Sequence, residues 1–247
     1  MGGLQDLQGR FNLNSLGGAP LNGQGANAYG PAQQVFIRLL QALDGVEIDA
    51  FQAAVITESI ADWIDVDEEP RANGAEASYY VSLTPSYRPA DRPMASVSEL
   101  RAVANVTPEI YRALRDVVTV WPQEGPWAIN LHTAPLPVLR AFNVDGSLEP
   151  LNAGEAEALI AQRADTGFES VEDFLAHPAF AGASTAAAQS FLRETSEYFR
   201  LTARVELVGR ESRRYSVLRR QEREIAVLHR GDVSLYDLPP APGELRR

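Results

Sequence analysis

The sequence concentrates acidic side chains in one stretch, from Asp62 to Glu76, that directly follows a strongly patterned helix. Six carboxylates fall in this stretch against a single basic residue, Arg71. Negative charge is unfavourable at the C-terminus of a helix, because the helix macrodipole already places partial negative charge there. The composition of the stretch therefore indicates that a positive partner is missing from the neighbouring sequence.

The spacing of three of these carboxylates is compatible with a shared metal ion. Asp65 and Asp67 are two residues apart, so an extended backbone would point both side chains the same way. Asn73-Gly74 could form a turn that brings Glu76 back towards them. Calcium accepts about six to eight oxygen ligands at variable geometry, which suits a bent loop. Because the spacing does not match an EF-hand, two interpretations stay open at this point, a calcium site and a solvated acidic loop.

Motifs of enzyme catalysis are absent from the sequence. It has no cysteine, which excludes thiol catalysis. Its three histidines, His132, His177 and His229, do not share metal-binding spacing on a helix. It also lacks a phosphate-binding loop, a dinucleotide fingerprint and a Gly-x-Ser-x-Gly nucleophile motif. We therefore predict that the chain is not an enzyme.

Charge and hydropathy limit the remaining classes of protein. The 247 residues carry a formal net charge of -11, which argues against broad nucleic-acid binding because that binding depends on neutralising phosphates. No run of about eighteen apolar residues is present, so the sequence predicts no membrane-spanning helix. An acidic chain of this length fits a globular protein that binds cations or other proteins.

Capping and periodicity predict the elements that position the acidic stretch. Pro31 suits a first helical turn, and apolar residues at helical spacing continue until Gly45. A capping pair that begins at Asp49 opens a second helix, which runs to Ile64. After the acidic stretch, alternation over residues 78–83 predicts a short strand. The stretch should therefore connect a helix to a strand.

The rest of the chain predicts an α+β fold. An extended segment covers residues 9–16, and short helices are expected in several places between residues 96 and 195. Alternating residues from Phe199 onward predict a three-stranded antiparallel meander. Its nine arginines between Arg200 and Arg230 indicate either the solvent face of a sheet or a basic patch facing a partner. We assign residues 1–30 and 197–247 to a discontinuous sheet portion, and residues 31–196 to an inserted helical domain that includes the acidic stretch.

Several stretches in order along the chain closely resemble the general secretion pathway protein K family. The resemblance rests on residues 8–16, 62–67, 74–76, 87–93, 98–103 and 129–134. It implies a pseudopilin fold with a large helical insertion, at the tip of a periplasmic type II secretion pseudopilus with minor pseudopilins I and J. There the protein would help to initiate and cap the filament for protein export across the outer membrane, and contacts with other pseudopilins and secreted proteins stay open.

The resemblance also implies a location and a metal site. The family's leader and hydrophobic N-terminal helix, which this sequence does not contain, would anchor the protein in the bacterial inner membrane, with the present region in the periplasm. Calcium of this family would fall on Asp62, Asp65, Asp67 and Glu76. Asp91 stands where the family usually has Asn, which leaves open whether that loop approaches the ion, and we interpret His132 as structural.

The alternative is a helix-hairpin-helix DNA-binding protein, which residues 129–134, 158–163 and 168–170 also resemble. Those modules hold a phosphate on the backbone amides of a Gly-rich hairpin. The corresponding hairpin here, residues 142–149, is longer and acidic. We therefore expect the helical scaffold without the phosphate site, and no nucleic-acid partner.

Overall fold

The computed structural model describes residues 2–18, 23–181, 184–208 and 210–232, and it confirms the α+β class. The α-helices are α1 (Pro31–Gln41), α2 (Ala50–Ile64), α3 (Ala77–Val81), α4 (Pro108–Leu114), α5 (Leu136–Arg140), α6 (Ala153–Asp165), α7 (Val171–Leu175) and α8 (Ala186–Phe191). Short 3-10 helices cover Leu13–Leu16, Gly25–Ala28, Val97–Ala102 and Pro178–Phe180. The strands are β1 (Gly2–Asp6), β2 (Phe11–Asn12), β3 (Val118–Thr119), β4 (Ile129–Asn130), β5 (Leu192–Arg193), β6 (Tyr198–Leu207), β7 (Arg210–Gln221) and β8 (Glu224–Asp232).

Residues 8–195 form one compact unit, which contains all the helices. Two short parallel pairs, β2 with β3 and β4 with β5, join distant parts of this unit. Helix α1 begins at Pro31 as predicted, and the Asp49 side chain accepts a hydrogen bond from the Gln52 amide at 2.8 Å at the start of α2. The starts of α1 and α2 both follow from local capping, which can be identified from the sequence alone. None of the helices in the described ranges is both long and apolar enough to cross a membrane.

The strand predicted for residues 78–83 is wrong, because this segment forms helix α3. Glu76 and Tyr80 are buried, whereas Tyr79 and Val81, the two neighbours of Tyr80 in sequence, are exposed. A four-residue spacing of buried side chains belongs to a helix rather than a strand. The fully buried Tyr80 packs edge-to-face on Trp63, with ring centroids 5.2 Å apart, and its hydroxyl accepts a hydrogen bond from the Ala104 amide. This packing overrides the β propensity of the sequence.

Residues 8–18 and 23–30 lie in the helical unit and not in the sheet portion to which we assigned residues 1–30. Phe11, Leu13 and Leu16 have no solvent exposure and belong to the core of the helical unit. The Asn14 side chain donates hydrogen bonds to the carbonyls of Met94 and Val120, each at 3.1 Å. These buried contacts draw the segment into the helical core.

The second unit is an antiparallel sheet of order β1-β6-β7-β8, drawn from both ends of the chain. The meander of β6, β7 and β8 is confirmed, but β1 was not predicted. Several arginines of this sheet pair within it, as Arg204 does with Glu211 at 2.8 Å. That arrangement favours a solvent-facing role for them. Residues 233–247, which we assigned to the sheet portion, lie outside the described residues.

Arg38 on α1 is 4% exposed and joins α1 to the segment that follows α5. Its guanidinium donates hydrogen bonds to the carbonyls of Ala141 at 3.3 Å, Val144 at 3.0 Å and Ser147 at 2.8 Å. Three buried or partly buried carbonyls thus depend on one side chain.

We predict that Arg38→Met lowers the free energy of unfolding by about 3 kcal/mol, because it leaves these carbonyls without donors. Urea unfolding measures the change. Arg112→Met is the matched control, since Arg112 forms only an exposed ion pair with Glu109, and it should change stability by less than about 0.5 kcal/mol. Equal effects of the two variants would contradict the structural role of Arg38.

Candidate metal site

The fold brings together three of the four predicted metal ligands. Helix α2 ends at Ile64, and Asp65 follows with an extended backbone, so the chain leaves the helix towards Asp67. The Gly74 amide donates to the Arg71 carbonyl at 3.1 Å and closes the turn that returns the chain to Glu76, the residue that precedes α3. One carboxylate oxygen each from Asp65, Asp67 and Glu76 lies within 4.8 Å of the others.

Three buried oxygens of this group lack a hydrogen-bond partner of normal geometry. Glu76 is 3% exposed, and neither Oε1 nor Oε2 accepts a hydrogen bond of normal geometry. Asp65 Oδ1 is also buried without a partner, whereas Asp67 is exposed and accepts a hydrogen bond from the Glu69 amide at 3.0 Å. Buried carboxylate oxygens without donors are costly. Their convergence fits a hard divalent cation that takes oxygen ligands.

The pKa of Glu76 reflects the same lack of compensating positive charge and hydrogen bonds. Burial, together with the negative charges of Asp62 and Asp65, raises the pKa of Glu76 to about 7, and the Ala77 amide opposes this only in part. The charge of Asp91 contributes to the same rise in the pKa of Glu76. The Asp91 amide donates to the Trp63 carbonyl at 3.1 Å, so this loop lies beside the end of α2. The segment that carries Asp91 therefore approaches the site.

Asp62, the fourth predicted ligand, is not brought into this group. Its side chain has no solvent exposure and forms an ion pair with the guanidinium of Arg71. It also accepts a hydrogen bond from the Arg71 amide at 3.2 Å. The same guanidinium contacts Asp65 Oδ2 at 2.5 Å and donates to the Gly18 carbonyl at 2.9 Å. Arg71 thus neutralises Asp62 and contacts Asp65, but it makes no ion pair with Glu76.

Sequence reasoning missed a second acidic side chain that holds this loop. Glu58 accepts a hydrogen bond from the Asn73 amide at 2.6 Å and another from the Tyr29 hydroxyl at 3.0 Å. Glu58 and Asp62 are four residues apart on α2, so they lie on one face of the helix. The four-residue spacing of Glu58 and Asp62, followed by an acidic loop with a single arginine, was the signal from which these loop contacts could have been predicted.

None of the three histidines joins a metal-type cluster in the part of the chain that the structure describes. The His132 amide donates to the Asn130 side chain at 2.9 Å. His177 Nδ1 accepts a hydrogen bond from the Ala179 amide and caps the following 3-10 helix. The His177 side chain therefore has a structural role as a cap, and the structural role of His132 stays a prediction.

Comparison with known proteins identifies one family along most of the chain. Residues 9–123 and 129–192 match the family described as type II secretion system (T2SS), protein K. Type II secretion system protein K of Klebsiella pneumoniae is 34% identical over 227 residues, which cover 92% of this chain and 68% of that protein. The Pseudomonas aeruginosa protein of the same name is 32% identical over 244 residues, covering 97% and 67%.

The solved structures include a relative with the same fold. It belongs to the crystal structure of the GspK-GspI-GspJ complex from the type 2 secretion system of enterotoxigenic Escherichia coli. The two structures superimpose with a TM-score of 0.77 and are 27% identical in sequence, and the match covers 94% of this chain and 79% of the other. The likeness therefore includes both the helical unit and the sheet.

We predict that the metal-free protein loses stability as pH rises from about 4.5 to about 7. The folded state raises the pKa of Glu76, so the native protein holds a proton that the unfolded chain releases, and this contribution disappears above the folded pKa. The loss should be on the order of 3 kcal/mol. Urea unfolding in chelator across this range measures it. Glu76→Gln should remove the loss and the exposed Glu68→Gln should not; a slope unchanged in Glu76→Gln would contradict the burial of an uncompensated carboxylate.

Proposed function

The chain belongs to the type II secretion system protein K family, as the resemblance in its sequence predicted, and on this premise we propose that it caps the pseudopilus together with pseudopilins I and J. The observation that carries the proposal is the likeness, over nearly the whole chain, to a chain of the solved GspK-GspI-GspJ complex. The function of a minor pseudopilin is assembly. No catalytic step is required of its side chains.

The proposed capping follows from the division of the chain. The sheet unit takes its strands from residues 2–7 and from Ser196 onward, and the helical unit of residues 8–195 lies between them in sequence. A subunit with so large an insertion leaves little room for another subunit above it in a filament. The protein would thus initiate and end the filament that supports protein export across the outer membrane. It would act in the periplasm, anchored to the inner membrane through the hydrophobic helix of its family.

We also propose that Asp65, Asp67 and Glu76 bind calcium. What supports this is the convergence of their oxygens and the lack of hydrogen bonds of normal geometry to the Glu76 carboxylate. The ion would supply the positive charge that the acidic loop lacks, and its chemistry is structural. By neutralising these carboxylates it would fix the connection between α2 and α3.

The helix-hairpin-helix alternative is disfavoured by the contacts of the segment between α5 and α6. Carbonyl oxygens of Ala141, Val144 and Ser147 in this segment accept hydrogen bonds from Arg38. A phosphate site needs backbone amides that are free to donate. In this segment the Val144 amide donates to the Asn143 side chain, and the Asp145 and Ser147 amides donate to the carbonyls of Ser184 and Val144.

We predict that calcium raises the thermal stability of the purified chain. Calcium that binds only the native state at about 100 times its Kd adds about 2.7 kcal/mol, which for a protein of this size corresponds to roughly 5–11 °C in Tm. Asp67→Asn should abolish the rise without disturbing the contacts of Arg71. Glu68→Gln is the matched control, one residue further along the same exposed loop, and should keep it. A calcium-dependent rise that persists in Asp67→Asn would contradict the proposed site.

We further predict that the chain co-elutes with purified pseudopilins I and J in size-exclusion chromatography. A fluorescent DNA duplex at low salt serves as the comparison, because DNA binding by a helix-hairpin-helix protein would be strong there and would weaken as salt is added. Co-elution with both pseudopilins and no affinity for the duplex is the expected result. Separate elution together with salt-sensitive DNA binding would reverse the proposal.

A further inference from the structure

We propose that Asp62 and Gly74 position the cation site without contacting the ion. Asp62 would act through Arg71, and Gly74 would act by leaving room for Asp62. This inference rests on the proposed calcium site and assigns to Asp62 a role different from the ligand role implied by the family resemblance.

Asp62 connects the last turn of α2 to the returning part of the loop. Its carboxylate has no solvent exposure and receives both the guanidinium and the backbone amide of Arg71. Both contacts direct the Asp62 carboxylate towards Arg71. Each Asp62 oxygen already contacts Arg71, whereas Asp65 Oδ1 and both Glu76 oxygens are buried without a hydrogen-bond partner of normal geometry.

Gly74 is required by the place that the Asp62 carboxylate occupies. A Cβ added at Gly74 would overlap Asp62 Oδ2 and lie only 2.7 Å from Asp62 Cγ. The Asp62 side chain is short, and Arg71 fixes it on the other side, so it cannot move aside without breaking the ion pair. A side chain at position 74 would therefore release the contact between Asp62 and Arg71.

This contact controls the position of two proposed ligands. Arg71 holds Asp65 Oδ2 at 2.5 Å, and Gly74 is two residues before Glu76. Three carboxylates this close repel one another, so in the metal-free protein something must hold the loop in place. Groups that orient metal ligands commonly change metal affinity by about 10- to 100-fold when they are mutated. Asp62 and Gly74 meet that description.

The test is a double-mutant cycle on calcium affinity, measured by titration calorimetry with calcium chloride. We expect Gly74→Ala, which changes no charge, to weaken binding by roughly 10- to 100-fold. Asp62→Ala should weaken it as well, and Gly74→Ala added to Asp62→Ala should cause no further loss, since the overlapping carboxylate is gone. Gly18→Ala is the matched glycine control, because a Cβ there meets open space and the Gly18 carbonyl stays available to Arg71.

The outcomes separate this inference from its premise. Full affinity in Gly74→Ala, or additive losses in the double variant, would overturn the positioning role while the calcium site stands. No binding by the parent protein would overturn the calcium site itself and this inference with it. If Gly74→Ala does not fold, the Asp62→Ala and double variants, in which the overlap is relieved, still decide the matter: equal affinities support the inference and unequal affinities refute it.

Discussion

The burial of the Glu76 carboxylate is the constraint on which the acidic loop depends. Glu76 immediately precedes α3, where the buried Tyr80 packs on Trp63, so packing fixes its position. No donor of normal geometry reaches its oxygens, and the charges of Asp62 and Asp65 add to the cost of ionising it. A buried, uncompensated carboxylate is tolerated when a cation or a proton neutralises it. The proposed calcium ion supplies that charge at neutral pH.

Helix α2 organises the site from one end. Its final turns carry Glu58 and Asp62, which hold the loop through the Asn73 amide and through Arg71, and Asp65 follows the helix directly. One positive charge, the guanidinium of Arg71, therefore belongs to the chain itself. The second, the proposed calcium ion, is expected to come from solution. This division would account for the buried carboxylates of the loop, whereas Glu68 and Glu69 are exposed to solvent. The contacts of Glu58 and Asp62 also connect the acidic loop to helix α2 of the helical unit.

Local physics made part of this architecture predictable. The starts of α1 and α2 follow from Pro31 and Asp49, because caps depend on near neighbours in sequence. Long-range contacts were not accessible in the same way. Strand β1 was missed because Gly2 and Gly3 have low β propensity and pair with residues about 200 positions away. The convergence of Asp65, Asp67 and Glu76 was anticipated from spacing and a turn, but the pairing of Asp62 with Arg71 depends on the folded loop.

A crystal structure of the chain grown with terbium in place of calcium, with anomalous diffraction to locate the ion, tests this account most directly. We expect one anomalous peak bounded by Asp65, Asp67 and Glu76, with Asp62 still paired to Arg71. A peak elsewhere, no peak at saturating ion, or an Asp62 carboxylate turned from Arg71 onto the ion would contradict it.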